Sequence, residues 1–283
     1  LVEKDVAGLF SCDGRDPEID RRLRGVPSAC ARRLKGLDNL KKHSKKRWNI
    51  IMCCVARHIN DQHIADLFQF CHDHTSHIKG LYFIPLTETW EPGAFEADVC
   101  TTIEDVQEIV DDAFPDDRVE YLSLGLQHHL NRALSFLGVG GRQTFPDIHP
   151  NCEAGTHFFS DGQRYRPLSY FLKRPLEEVA AEAIRRARKI DAKLAKLDPD
   201  DPAQRRRGQR IVLMTFAGLL LKTPYFKRIM KGSRWLGVPR ILAGLLIGRT
   251  LREQLRRHTW LRDGLASIIL PFEEHHSLES ERL

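Results

Sequence analysis

The sequence contains no CxxC pair and no closely spaced triplet of cysteines. Its 7 cysteines (Cys12, Cys30, Cys53, Cys54, Cys71, Cys100 and Cys152) are odd in number and show no paired spacing. That pattern predicts no disulfide framework and makes a reducing cytoplasm the default setting. Long hydrophobic runs are missing too. The longest predominantly apolar stretch, Ile211 to Leu221, has 11 residues, well short of the ~20 that a spanning helix needs. No charged, apolar, then small-residue leader opens the chain. Leu1 already falls within what reads as structure, so the natural start is expected upstream. Glycine-rich phosphate loops, internal repeats, low-complexity tracts, paired catalytic carboxylates and a Ser-His-Asp arrangement are all absent from the pattern.

What is present is globular usage: 42% hydrophobic and 29% charged residues over 283 positions, enough to bury a real core. The net charge of +6 hides segregation. Arg21 to Arg47 holds 11 bases against one acid, Leu81 to Leu122 holds 12 acids against one base, and Ala203 to Arg262 holds 15 bases against one acid. Such blocks form solvated helix faces, or they meet something anionic.

Four strand-like runs recur: Val6 to Phe10, Asn49 to Ala56, Gly80 to Leu86 and Val119 to Leu124. Each is apolar, β-branched or aromatic and bounded by Gly, Asp or Pro, as buried parallel strands are. Helical periodicity lies between them. Leu34, Leu37 and Leu40 share a face, as do Ile64, Leu67, Phe68 and Cys71, and Ile103, Val106, Val110 and Ala113. Thr102 with Asp105 predicts a capping box. The rhythm is that of βαβ units in an α/β fold with a parallel sheet. Four strands leave an open edge, so either more strands are missing at the front or the sheet is small and open. Beyond Leu124 a Gly-rich stretch leads to a long amphipathic helix from about Leu176 to Leu197, broken by Asp198–Pro202. Basic amphipathic helices cut by Pro224, Gly232, Pro239 and Pro271 follow.

Parallel α/β sheets bind ligands at strand carboxyl ends. The first such end reads Ser11-Cys12-Asp13-Gly14 with Arg24 and Gly25 beyond. A hydroxyl and a carboxylate there suit a sugar or an ammonium group, and Arg24 offers a planar fork for a carboxylate; a turn capping the next helix would look the same. At the second end, Asn60 serves as helix cap, ligand contact or both. Cys53 and Cys54 must face opposite ways, which suits core packing and not joint ligation. The third end, Ile84-Pro85-Leu86, could flank an adenine ring or belong to the core.

This order of motifs resembles the later half of radical S-adenosylmethionine enzymes over roughly Val6 to Leu124. Pro85-Leu86-Thr87, Thr102–Val106 and His149-Pro150-Asn151-Cys152 resemble the branch that includes archaeal tetraether-lipid synthase. The resemblance implies a partial (β/α) barrel, with Ser11 and Asp13 near the ribose or amino group of S-adenosylmethionine. It further implies Arg24 near the carboxylate, Asn60 near the ribose, and Ile84, Pro85 and Leu86 beside adenine. In that family three cysteines hold a [4Fe–4S] cluster whose electron cleaves the sulfonium bond to a 5′-deoxyadenosyl radical. This chain has no CxxxCxxC, so the cluster ligands are expected upstream. The parent is expected to be an enzyme and this chain alone inactive.

Three regions follow from this reading: 1–135 as the barrel portion, 136–175 as a loop-rich segment, and 176–283 as a basic, mainly helical region. Cys152, between His149 and His157, is a candidate metal or auxiliary-cluster ligand; an incidental polar loop is the alternative. Cys71, His72, His74 and His77 read as surface, and His128-His129 as no site. The expected partner is a small-molecule or lipid substrate, with peripheral contact to anionic membrane through 203–262. The competing reading is a non-catalytic cytoplasmic protein whose basic region binds anionic membrane or RNA.

Overall fold

The computed structural model of the chain describes residues 8–43, 48–86, 101–137, 153–221, 230–231, 234–247, 249, 251–259 and 261–270. Its centre is a 7-stranded mixed sheet. The strands are β1 (Leu9–Ser11), β2 (Asn49–Val55), β3 (Ile78–Pro85), β4 (Leu122–Ser123), β5 (Ala154–Ser160), β6 (Tyr165–Pro167) and β7 (Leu265–Ile269). They run in the order β1-β2-β3-β7-β5-β4, with β6 on β5. The pairs β1–β2, β2–β3 and β3–β7 are parallel, and β5 is antiparallel to β7, β4 and β6.

Three of the four expected strands form within a few residues of their predicted limits. The fourth differs: only Leu122 and Ser123 of the Val119–Leu124 run are strand, and they pair with β5, not with β3. The place beside β3 is taken by β7, drawn from the far end of the chain, with Leu270 N–H donating to Phe83 C=O at 2.8 Å. A buried strand edge must find partners for its backbone groups, and β7 supplies them. Strands β5 and β6 lie in the stretch expected to be loop, and β7 lies in the one expected to be mainly helical.

One sheet face is packed. Ile51, Cys53 and Val55 of β2, Leu81 and Phe83 of β3, Phe158 of β5 and Leu265 and Ile269 of β7 form a single core. Two helices press on it, α3 (Ile64–Asp73) and α4 (Ile103–Asp112). The ring of Phe68 lies 4.7 Å from Phe158 and 4.9 Å from Phe114, a spacing at which aromatic pairs attract beyond their buried area. The predicted capping box is present: Thr102 Oγ1 accepts from Asp105 N–H at 3.2 Å and Asp105 Oδ2 accepts from Thr102 N–H at 2.8 Å.

Helices α1 (Pro17–Arg24) and α2 (Ala29–His43) follow β1, and Leu37 of α2 is buried in the same core. The unpaired-cysteine expectation fails here, because Cys12 and Cys30 form a disulfide with Cα atoms 5.0 Å apart. Spacing along the chain could not reveal it; the turn into α1 and the approach of α2 to β1 bring the two together.

A second core joins α5 (Asn131–Phe136), α6 (Leu176–Leu194) and α7 (Pro202–Leu221) through Phe136, Ile190, Leu194 and Val212. Gly208 permits the close crossing, since a Cβ there would stand 2.2 Å from Phe136 Cδ1. Helices α8 (Arg234–Leu246) and α9 (Leu251–His258) complete the described α-helices, and short 3-10 helices lie at Leu124–Leu130 and Leu168–Phe171. No described helix is long and apolar enough to cross a membrane.

Candidate functional site

The in-register parallel pairing brings the carboxyl ends of β1, β2 and β3 to one edge of the sheet: Ser11 pairs with Met52, Cys54 with Ile84 and Val55 with Pro85. Around this edge the residues singled out in the sequence do meet, and largely one another. The Asp13 side chain is fully buried. Its carboxylate accepts from Arg24 through Nε and through Nη2 at 2.9 Å, and from Cys54 N–H at 2.8 Å. The bond to Asp13, with its charge, holds the Arg24 pKa above its ordinary value against the opposing effect of burial.

Asn60 is also buried and turned inward. It accepts from Ala56 N–H at 2.8 Å and donates to the carbonyls of Asp13 and Cys54 at 2.7 Å each. It therefore ties the first strand end to the second and makes no side-chain cap to the 3-10 turn Asp61–His63. Between these points the chain turns through His58, a non-glycine residue at φ 64, a conformation that L side chains adopt at a cost. Arg57, its neighbour, anchors this loop to α4 through Asp105 at 3.1 Å and Glu108 at 2.6 Å.

The second face of the sheet is the less filled one. Strand alternation and the pairing register align Ser11, Met52, Tyr82, Ile268, Gly155 and Leu122 in one row across six strands. Cys54 and Ile84 form the next row; continued by one residue, it reaches Leu270 and Glu153. Ser11, Met52, Cys54, Tyr82, Ile84 and Leu86 are all half-buried, whereas the opposite face is sealed. Pro85 points into the sealed side and is buried. Leu86 N–H donates to Val55 C=O at 2.7 Å, which continues the ladder past the strand end.

Two groups on the open face were not singled out in the sequence, Tyr82 and Glu153. Burial raises the pKa of both, and Glu153 adds to the rise at Tyr82. Glu153 Oε2 is buried with no hydrogen-bond partner among the described residues. Alternation within Ile78–Pro85 could have given Tyr82. Glu153 had no signal, because the strand it precedes was not recognised.

Metal binding fares differently. Among the described residues, no group of three His, Cys, Asp or Glu side chains could hold a metal ion. Cys12 and Cys30 are bonded to each other. Burial raises the Cys53 and Cys71 thiols and, with Asp13 nearby, pushes Cys54 up to about 12; metal binding needs thiolates. The residues described do not fit an iron–sulfur cluster. Cys152 and His149 lie outside the described residues. His72 is engaged by Ser160 Oγ at 2.8 Å and by the Tyr165 ring.

No protein-family model matches this chain, and no curated protein matches it.

Proposed function

We propose that this chain is the nucleoside-binding portion of a radical S-adenosylmethionine enzyme, its strands belonging to a partial barrel. The observation that carries the reading is the meeting of three motif-bearing strand ends at one sheet edge, the first two tied by the Asp13–Arg24–Asn60 network and the third by the β2–β3 ladder. Asp13, Arg24 and Asn60 act as the frame that fixes the turn. The contacts left for a nucleoside are the Ser11 hydroxyl, the half-buried Ile84 side chain against the adenine face, and the backbone at Leu86. A [4Fe–4S] cluster would supply the electron for S-adenosylmethionine cleavage, and its three cysteines would come from outside this sequence.

Equilibrium dialysis of the chain against S-adenosylmethionine tests this. Saturable binding that is lost in Ile84→Arg, with the unfolding temperature retained, supports the reading. Absence of saturable binding, or binding indifferent to Ile84→Arg, overturns it.

A second reading has its own observation. On α7, Arg207, Arg210 and Met214 are spaced to share one helix face, and all three are exposed, Met214 to 79%. A basic face that also presents a large apolar side chain suits an anionic membrane surface better than RNA. Sedimentation with phosphatidylserine vesicles, weakened by salt and by Met214→Ser, is the outcome this reading expects. Binding to RNA alone, or to neither, counts against it.

A further inference from the structure

On the far half of the sheet the open face is roofed by α6, and the roof does not close. A hollow of about 280 Å³ remains between Ala180 and Ile184 of α6 and Gly155, His157, Ala266 and Ile268 of β5 and β7. Most of its remaining wall is leucine. At the ~30 Å³ that a water-sized group occupies in a liquid, it has room for on the order of nine non-hydrogen atoms. Voids much larger than a water are few in close-packed interiors. Filling this one by collapse is prevented by its frame. The sheet below is fixed by the β5–β7 ladder, and α6 is held from behind by Ile190 and Leu194 in the second core.

The wall's chemistry is as one-sided as its shape. Among the described residues lining it there is no Lys, Arg, Asp or Glu. The polar wall groups include His157, an exposed residue on the open face of β5. The protein mass around the imidazole lowers its pKa, which favours the neutral ring at pH 7.

We infer that this hollow is a binding site for an uncharged aliphatic molecule of about nine non-hydrogen atoms, its chain among the leucines and its polar end at His157. Neutral imidazole can accept from, or donate to, a hydroxyl. No cation on the wall would pair with a carboxylate, and part of its hydration would be lost on entry. The inference goes beyond the nucleoside reading and stands without it, since the hollow is built from β4, β5, β7 and α6.

The test uses the whole chain with isoleucine methyl groups labelled for NMR, and octan-1-ol and octanoate as probes. Octan-1-ol should shift the Ile184 and Ile268 methyls saturably and leave Ile84 in place. Octanoate should bind about tenfold more weakly or worse, a consequence of the uncompensated charge. Ala180→Leu and Ala266→Leu, which fill the hollow from opposite walls, should each abolish the shifts while the unfolding temperature is kept or raised. Octan-1-ol shifts that do not saturate overturn the inference, as do shifts that persist in both filled variants or octanoate binding as tight as the alcohol. A wild-type chain that shows no shift means that the hollow is closed by the chain itself, and the inference fails. Loss of S-adenosylmethionine binding leaves this result untouched, so the two readings fail separately.

Discussion

Replacing Arg24 by methionine tests the frame of the candidate site more sharply than any other single change. Arg24 is 28% exposed at its side chain, while the Asp13 carboxylate it grips is at 0%. Methionine keeps most of the aliphatic stem, so packing loss is small and the main effect is a buried carboxylate left with the Cys54 N–H as its remaining partner. Removing one member of a buried pair costs about 3–5 kcal/mol. Because Arg24 retains some contact with solvent, the low end, about 3 kcal/mol, is expected. In a chain of this size that lowers the unfolding temperature by about 6–12 °C. Equilibrium urea unfolding followed by circular dichroism measures it, with an unchanged m-value showing that only stability moved. Asp13→Asn provides the control: it keeps an acceptor for Cys54 N–H and removes the charge. In that background Arg24→Met should cost below about 1 kcal/mol. A loss below 1 kcal/mol in the wild-type background, or the same loss in both, would refute the buried frame.

Phe158→Ala removes a fully buried ring packed on Phe68 and Phe114 and should cost about 3–5 kcal/mol in urea unfolding. Gly155→Ala drives a Cβ to 2.5 Å from Leu124 Cδ2, the end of a side chain on the wall of the hollow, and should cost no more than about 1 kcal/mol in urea unfolding. Cys54, Cys53 and Cys71 have folded pKa values raised above the ordinary 9.0, Cys54 to about 12. Folding therefore holds protons that the unfolded chain releases. Stability is full below about pH 9 and falls as pH rises towards 12, with Cys54 alone removing about 1.4 kcal/mol at pH 10. Unfolding at pH 8 and pH 10 reads this, and an increase at pH 10 would contradict it. Reducing the Cys12–Cys30 bond, which spans a separation of 18 residues, should lower stability by about 3 kcal/mol. A melting curve unchanged by reductant, with both thiols then open to alkylation, would count against that.

The sequence made the local architecture readable wherever periodicity and caps agree. Ile64, Leu67, Phe68 and Cys71 fall on one face of α3, and Thr102 with Asp105 starts α4 as expected. Asn49–Val55 alternates buried and half-buried residues as a strand should, which places Cys53 in the core and Cys54 on the other face. What could not be read was long-range. Leu265–Ile269 is a five-residue run following basic helices, and its membership of the sheet depends on an unpaired edge of β3 nearly 200 positions earlier in the chain. Ala154–Ser160 includes Gly, Thr and His and has no clean apolar period. The site was legible as a set of residues but not as a set of roles. Asp13, Arg24 and Asn60 were recognised from type and order, whereas their engagement with one another depends on β1 and β2 being adjacent. Tyr82 and Glu153, which share the open face, are far apart in sequence and gave no joint signal.

The proposed nucleoside site lies over the edge formed by Ser11, Ile84 and the Leu86 backbone. Titrating S-adenosylmethionine into the isoleucine-methyl-labelled chain addresses it most directly. A nucleoside bound there produces a saturable shift of the Ile84 methyl, with Ile184 and Ile268 unmoved and the response lost in Asn60→Ala. An Ile84 signal that stays still at saturating ligand, or moves no more than methyls remote from the edge, would contradict it.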